Sequence, residues 1–136
     1  MMNKKILIVD DCPDSCLMMQ VILELNNFDV DSANSAVLGL RKIMNNPPDV
    51  VITNHMMPYM DGCEFLSCIR RLNCYNHLPV LIVSCVDEAY VIAKSEYKFN
   101  GFIQKPIAIN NFVAIVKKSL NVNDEVMPAF TINYCA

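Results

Sequence analysis

Four polar clusters punctuate an apolar chain, each directly after a run of apolar residues. Asp10-Asp11 follow Ile6-Leu7-Ile8-Val9, Thr53-Asn54 follow Val50-Val51-Ile52, Ser84 follows Val80-Leu81-Ile82-Val83, and Lys105-Pro106 follow Gly101-Phe102-Ile103-Gln104. Adjacent carboxylates repel unless a positive group lies between them and their neighbours, and hard oxygen ligands favour Mg2+. Read alone, Asp10-Asp11 are equally a helix-capping pair, because aspartate ahead of Pro13-Asp14 is ordinary helix-start chemistry. Convergence of Asn54, Ser84 and Lys105 on the same pocket would shift that balance toward the metal, if the fold brings these strand ends together.

The apolar runs themselves say how that could happen. The runs at 6–9, 50–52 and 80–83 are continuously apolar and mostly β-branched, as strands covered on both faces must be. Phe28 to Ala33 alternates with Asp29 and Asp31, and 101–104 is short, so both are expected at sheet edges. Helical spacing appears between them: Met18, Val21, Ile22 and Leu25 in the first helix, and Ile109, Phe112, Val113, Val116 and Leu120 in the last. A second helix is expected over about 35–45, before Pro47-Pro48, and a third over about 61–72 with Phe65, Ile69 and Leu72 inward. The fourth, within 87–97, offers only Ala89, Ile92 and Ala93, so it should be lightly anchored. Strict strand-helix alternation predicts an α/β fold: a flavodoxin-like, doubly wound, five-stranded parallel sheet of order 2-1-3-4-5 with five helices. Ligands of such sheets sit beyond the carboxyl ends of the strands, where all four polar clusters lie.

Composition narrows the function classes. With 136 residues, a single ordinary domain is expected, without room for a separate output domain. A net charge of −3 supplies no basic field, so no direct nucleic-acid binding is expected. No apolar stretch is long enough for a membrane span or signal segment, which predicts a cytoplasmic protein without a membrane partner. Seven cysteines, with no C-x-x-C pair, read as free, reduced and mostly buried thiols. The methionines read as adaptable core filling, and Phe102 taken by itself is a core aromatic.

Four stretches in order resemble the response-regulator receiver family of the CheY-like superfamily. They are Asp10-Asp11, then residues 49–62 with Met57-Pro58-Tyr59-Met60-Asp61-Gly62, then Leu78-Pro79 to Ser84, then Gly101 to Pro106, and the resemblance spans about residues 4–120. It implies that Asp11 ligates Mg2+ directly, Asp10 mainly through water, and the backbone carbonyl of Met56 completes the protein ligands. It also implies that Ser84 and Lys105 contact phosphoryl oxygens, that the Lys105-Pro106 bond is cis, and that Phe102 is an aromatic switch moving with Ser84. The implied partners are a sensor histidine kinase or phosphotransfer protein upstream, and a downstream protein docking on the fourth-helix, fifth-strand and fifth-helix face. No turnover of an external substrate is implied; an Asn54→Asp form would catalyse only its own phosphorylation and dephosphorylation.

The sequence departs from the family at residue 54, where the phosphoacceptor aspartate is Asn54. A neutral carboxamide is not a useful nucleophile toward phosphorus, so ordinary phosphorylation should be absent. The pocket also loses one of three acids; a unit charge at about 4 Å is worth roughly 4 kcal/mol gross at an effective dielectric of about 20, so Mg2+ should bind more weakly. The Asn54 carbonyl oxygen can still accept a hydrogen bond from Lys105, so the fold should survive. Two readings stand: a receiver carrying a substitution at its acceptor, or a constitutive pseudo-receiver acting as a phosphorylation-independent interaction domain. A flavin carrier is disfavoured, because Cys12-Pro13-Asp14-Ser15 lacks glycines and adds a repelling acid. Residues 121–136 read as a helix exit followed by a linker or tail, leaving 1–120 as the domain.

Overall fold

The structure, a computed structural model, describes residues 3–125. Strands and helices alternate throughout: β1 (Lys5–Val9), α1 (Pro13–Leu25), β2 (Asp29–Ala33), α2 (Ala36–Asn45), β3 (Val50–Asn54), α3 (Gly62–Arg71), β4 (Val80–Ser84), α4 (Glu88–Lys94), β5 (Gly101–Gln104) and α5 (Ile109–Glu125). The five strands form one parallel sheet in the order β2-β1-β3-β4-β5, as the alternation predicts. The two strands expected at edges, β2 and β5, are the edges.

Every residue of β3 and β4 is buried, because the parallel sheet is covered on both faces. One face carries Leu7, Val9, Val51, Val80 and Ile82 against Ile43 of α2, Phe65, Leu66 and Ile69 of α3 and Val91 of α4. The other carries Ile6, Ile8, Val50, Ile52, Leu81, Val83 and Ile103 against α1 and α5. Period-two alternation within each continuous apolar run sorts its residues between these layers.

Two helices turn faces inward that differ from the expected ones. In α1 only Ile22 of the expected stripe is buried; Met18, Val21 and Leu25 are exposed, while Met19, Ile22 and Leu23 pack on the sheet. This helix is apolar on nearly every side, so its periodicity admits more than one inward face and the tertiary contacts select. In α4 the expected stripe of Ala89, Ile92 and Ala93 faces solvent, and Val91 is the buried anchor. Light anchoring holds, but through a different residue. In α5 Phe112, Val116 and Leu120 are buried, whereas Ile109 is exposed.

The helix expected to end at Asn121 continues to Glu125, since no glycine or proline interrupts it before Pro128. The expected tail beyond Glu125 lies outside the described residues. The six described cysteines are free thiols; only Cys63 is buried, and Cys12, Cys74 and Cys85 are exposed, which corrects the expectation of mostly buried thiols. Among the described residues no helix is long and apolar enough to cross a membrane.

Candidate functional site

The carboxyl ends of β1, β3 and β5 deliver Asp10, Asp11, Asn54 and Lys105 to one pocket, because parallel winding puts all strand ends on one rim. At the end of β1, Asp10 is almost fully buried, and its Oδ1 accepts the Cys12 N–H at 2.9 Å. Its Oδ2 is buried with no hydrogen-bond partner among the described residues. Burial pushes the Asp10 carboxyl above its ordinary range; the Cys12 N–H and the Lys105 ammonium oppose the rise, and neighbouring Asp11 adds to it.

The two readings of Asp10-Asp11 therefore separate atom by atom. Cys12, not an aspartate, is the N-cap residue of α1, and no side-chain cap bond forms there. One Asp10 oxygen serves the turn. The other is an orphaned anion oxygen of the kind a hard cation satisfies, so the residues present fit a divalent ion.

Asn54, at the end of β3, is buried and bonded through both ends of its amide. Its Oδ1 accepts from Lys105 Nζ at 3.1 Å, and its Nδ2 donates to the Met56 carbonyl at 3.0 Å and, at a longer 3.4 Å, to Asp11 Oδ1. Chemistry dictates that orientation: an ammonium can only donate and a carbonyl can only accept, so a flipped amide would lose both short bonds. The Nδ2 hydrogens thus point at two of the oxygens expected to ligate Mg2+, those of Asp11 and Met56. The Met56 side chain itself is exposed.

The Met-Pro-Tyr-Met-Asp-Gly stretch holds this corner in place. Asp61 caps α3, its Oδ1 accepting the Glu64 N–H at 2.8 Å while Glu64 Oε1 accepts the Asp61 N–H at 3.0 Å. Gly62 donates its N–H to the His55 carbonyl at 2.8 Å, and a Cβ at residue 62 would lie 2.6 Å from the Asn54 carbonyl oxygen. Only glycine lets the helix start come this close to the end of β3. Lys105 precedes a cis Lys105-Pro106 bond, as the resemblance implies.

Ser84 sits beside this pocket and bonds elsewhere. Its hydroxyl accepts the Val86 N–H at 3.1 Å and lies 3.0 Å from Nδ1 of His55. Both side chains are buried. His55 stands inside the stretch that carries the resemblance, yet sequence reasoning assigns it no role. The available signal was a histidine continuing a fully buried strand. Phe102, on β5, is half-buried, pairs with Ile82 and tilts against Phe99 with ring centroids 6.2 Å apart.

The model of the response regulator receiver domain matches residues 6–117, most of the chain. The chain belongs to the response regulator receiver family. As a receiver it is 29% identical, over 94% of its length, to the alkaline phosphatase synthesis transcriptional regulatory protein PhoP of Bacillus subtilis, covering 53% of that protein. It is also 29% identical over 87% of its length to the transcriptional regulatory protein PrrA of Mycobacterium tuberculosis, covering 50% of it. The receiver thus spans about half the length of these curated relatives. Among solved structures, a response regulator receiver domain protein from Clostridium thermocellum superposes with a TM-score of 0.80 at 26% identity, covering 91% of this chain and 99% of that one. The chemotaxis response regulator CheY4 of Vibrio cholerae shares the fold, with a TM-score of 0.82 at 23% identity over 88% of this chain and all of that one. Receivers typically bind Mg2+ at this acidic pocket.

Proposed function

We propose that this chain is a two-component response-regulator receiver which, as sequenced, cannot accept a phosphoryl group because Asn54 stands at the acceptor position. The observation that carries the reading is the bonding of Asn54. Its amide engages Lys105, Met56 and Asp11 at once, so the residue at the acceptor position supplies both the donor and the acceptor its neighbours need. A carboxylate there would set an oxygen against the Met56 carbonyl, a contact that is favourable only with a cation between them.

Asp10, Asp11 and the Met56 carbonyl are the groups that would hold Mg2+, which when bound neutralises phosphoryl oxygens. In this chain the Asn54 amide competes for two of these three, and one acid fewer faces the ion, so its affinity is lowered. Lys105 and Ser84 are assigned to the phosphoryl oxygens, and Phe102 to the switch. The upstream partner is a sensor histidine kinase or phosphotransfer protein, and the output is a protein docking on the α4-β5-α5 face. No membrane or direct nucleic-acid contact is assigned, and the compartment is the cytoplasm. Asn54 also supports a second reading, a constitutive pseudo-receiver, because its amide bonds to Lys105 and the Met56 carbonyl without a phosphoryl group.

Intact mass after treatment with Mg2+ and a small acyl phosphate tests the assignment. The chain should gain no phosphoryl adduct, and the Asn54→Asp variant should gain one. A folded Asn54→Asp variant that stays unmodified overturns the receiver reading.

A further inference from the structure

His55 is a buried histidine at the edge of the pocket that the roles assigned above do not use. Its backbone is held at both ends, its N–H donating to the Val83 carbonyl at 2.8 Å and its carbonyl accepting from Gly62 at 2.8 Å. The imidazole therefore has a fixed origin, and it reaches across to β4, where Nδ1 lies 3.0 Å from the Ser84 hydroxyl. That hydroxyl carries one proton and already accepts the Val86 N–H at 3.1 Å. With Nδ1 unprotonated, Ser84 commits its single proton to the ring; with Nδ1 protonated, the ring donates and Ser84 accepts twice. In both arrangements the hydroxyl is engaged by His55 and the Val86 N–H, not by Asn54 or Lys105.

Strand register connects this pair to Phe102. Thr53 lies beside Ile82, and Ile82 beside Phe102. Residues two apart share a face, so Ser84 stands on the same side of β4 as Ile82, the neighbour of Phe102. Phe102 packs against the apolar layer that contains Ile82 and Val91, the one buried anchor of α4.

We infer that His55 is a positioning residue for Ser84, fixing the direction of its hydroxyl from within the chain and thereby the packing around Phe102. The inference rests on the receiver reading for the role of Ser84. It deepens that reading by naming a resident partner for the hydroxyl, one independent of any phosphoryl group.

The test is a set of variants of the full chain, followed by the Val86 amide resonance, which reports the position of Ser84 Oγ, and by the Phe102 ring resonances, assigned by Phe102→Leu. His55→Leu should move both sets of signals. Ser84→Ala should move the Phe102 signals in the same sense, and the double variant should move them no further than either alone, because both substitutions remove one interaction. His55→Asn, whose amide can occupy the place of Nδ1, should return both sets toward their original positions. If His55→Asn behaves like His55→Leu, or if the two substitutions act additively on Phe102, the inference is overturned. Should His55→Leu fail to fold, Ser84→Ala and His55→Asn still decide: Phe102 must move in the first and stay in the second. The phosphoryl adduct is a separate readout. Its absence from Asn54→Asp defeats the receiver assignment without touching the His55 coupling, and loss of the coupling with the adduct present defeats the His55 role alone.

Discussion

The corner where β3 enters α3 and the helix that follows β4 occupy one side of the sheet, yet they are built to opposite specifications. Helix α3 starts with a reciprocal capping box, lies against the β3 end at a glycine contact, and buries Phe65, Leu66 and Ile69 in the core. Helix α4 has seven residues, no side-chain cap bond at Asp87 and Val91 as its buried anchor. The side bearing Asn54 and His55 is thus held rigidly, and the α4 side lightly, so α4 is where the fewest contacts resist displacement.

A similar contrast runs inside the pocket. Asn54 has partners for both ends of its amide, whereas Asp10 keeps a buried oxygen without one among the described residues. The pocket is saturated at β3 and open at β1. A cation held here would meet the free Asp10 oxygen on one side and the Asn54 amide as a competitor on the other.

The largest effect should come from the α3 core. Phe65→Ala should cost about 3–5 kcal/mol in chemical denaturation. Val91→Ala should cost clearly less while selectively accelerating amide exchange in α4, and equal costs would break the comparison of the two helices.

Asn54→Asp tests saturation at β3. Without Mg2+ it should lower stability by about 1–3 kcal/mol, since a new anion faces Asp11 and the Met56 carbonyl, and added Mg2+ should restore the loss. Thermal melts with and without the ion measure both. A variant as stable as the parent in the absence of Mg2+ would mean that the amide bonds at residue 54 contribute nothing.

Asp10→Asn tests the open valence at β1. The folded carboxyl lies above the ordinary aspartate value, so the folded chain binds this proton more tightly than the unfolded chain. Its favourable contribution is present below the unfolded value and is lost as pH rises through the raised folded value. Above that window the ionised group, whose Oδ2 has no partner among the described residues, is therefore a liability. Asp10→Asn should raise the stability of the Mg2+-free protein by about 1–2 kcal/mol, with the gain shrinking as pH falls through the same window. Melts across pH would refute this if the gain grew toward acid.

The smallest effect separates the two helix starts. Asp61→Ala removes a cap bond and should cost about 1 kcal/mol, while Asp87→Ala removes none and should change stability by only a few tenths, roughly, by denaturant titration.

Much of this was legible in the residues. Continuous apolar runs at 6–9, 50–52 and 80–83 identify two-sided strands without reference to phase, because every position is buried whichever way the strand is turned. Alternation of those strands with helical spacing then implies a doubly wound parallel sheet, which five strands fit in the order 2-1-3-4-5, and brings the polar strand ends to one rim. The inward face of α1 was not legible: a helix apolar on nearly every side carries no rotational phase, and only docking on the sheet selects Met19 over Met18. Helix α4 was too short to show a period, so its anchor at Val91 emerged from packing.

The same division holds at the site. The chain alone determined that an amide, two carboxylates, a hydroxyl and an ammonium follow the apolar runs. That Asp10 is left with an unpartnered oxygen, that the Asn54 amide turns its nitrogen to Met56, and that His55 rather than the pocket engages Ser84 were decided by the tertiary structure. These facts depend on which groups lie within about 3 Å of one another across different strands, a distance that hydrogen bonding requires and that spacing along a chain does not encode.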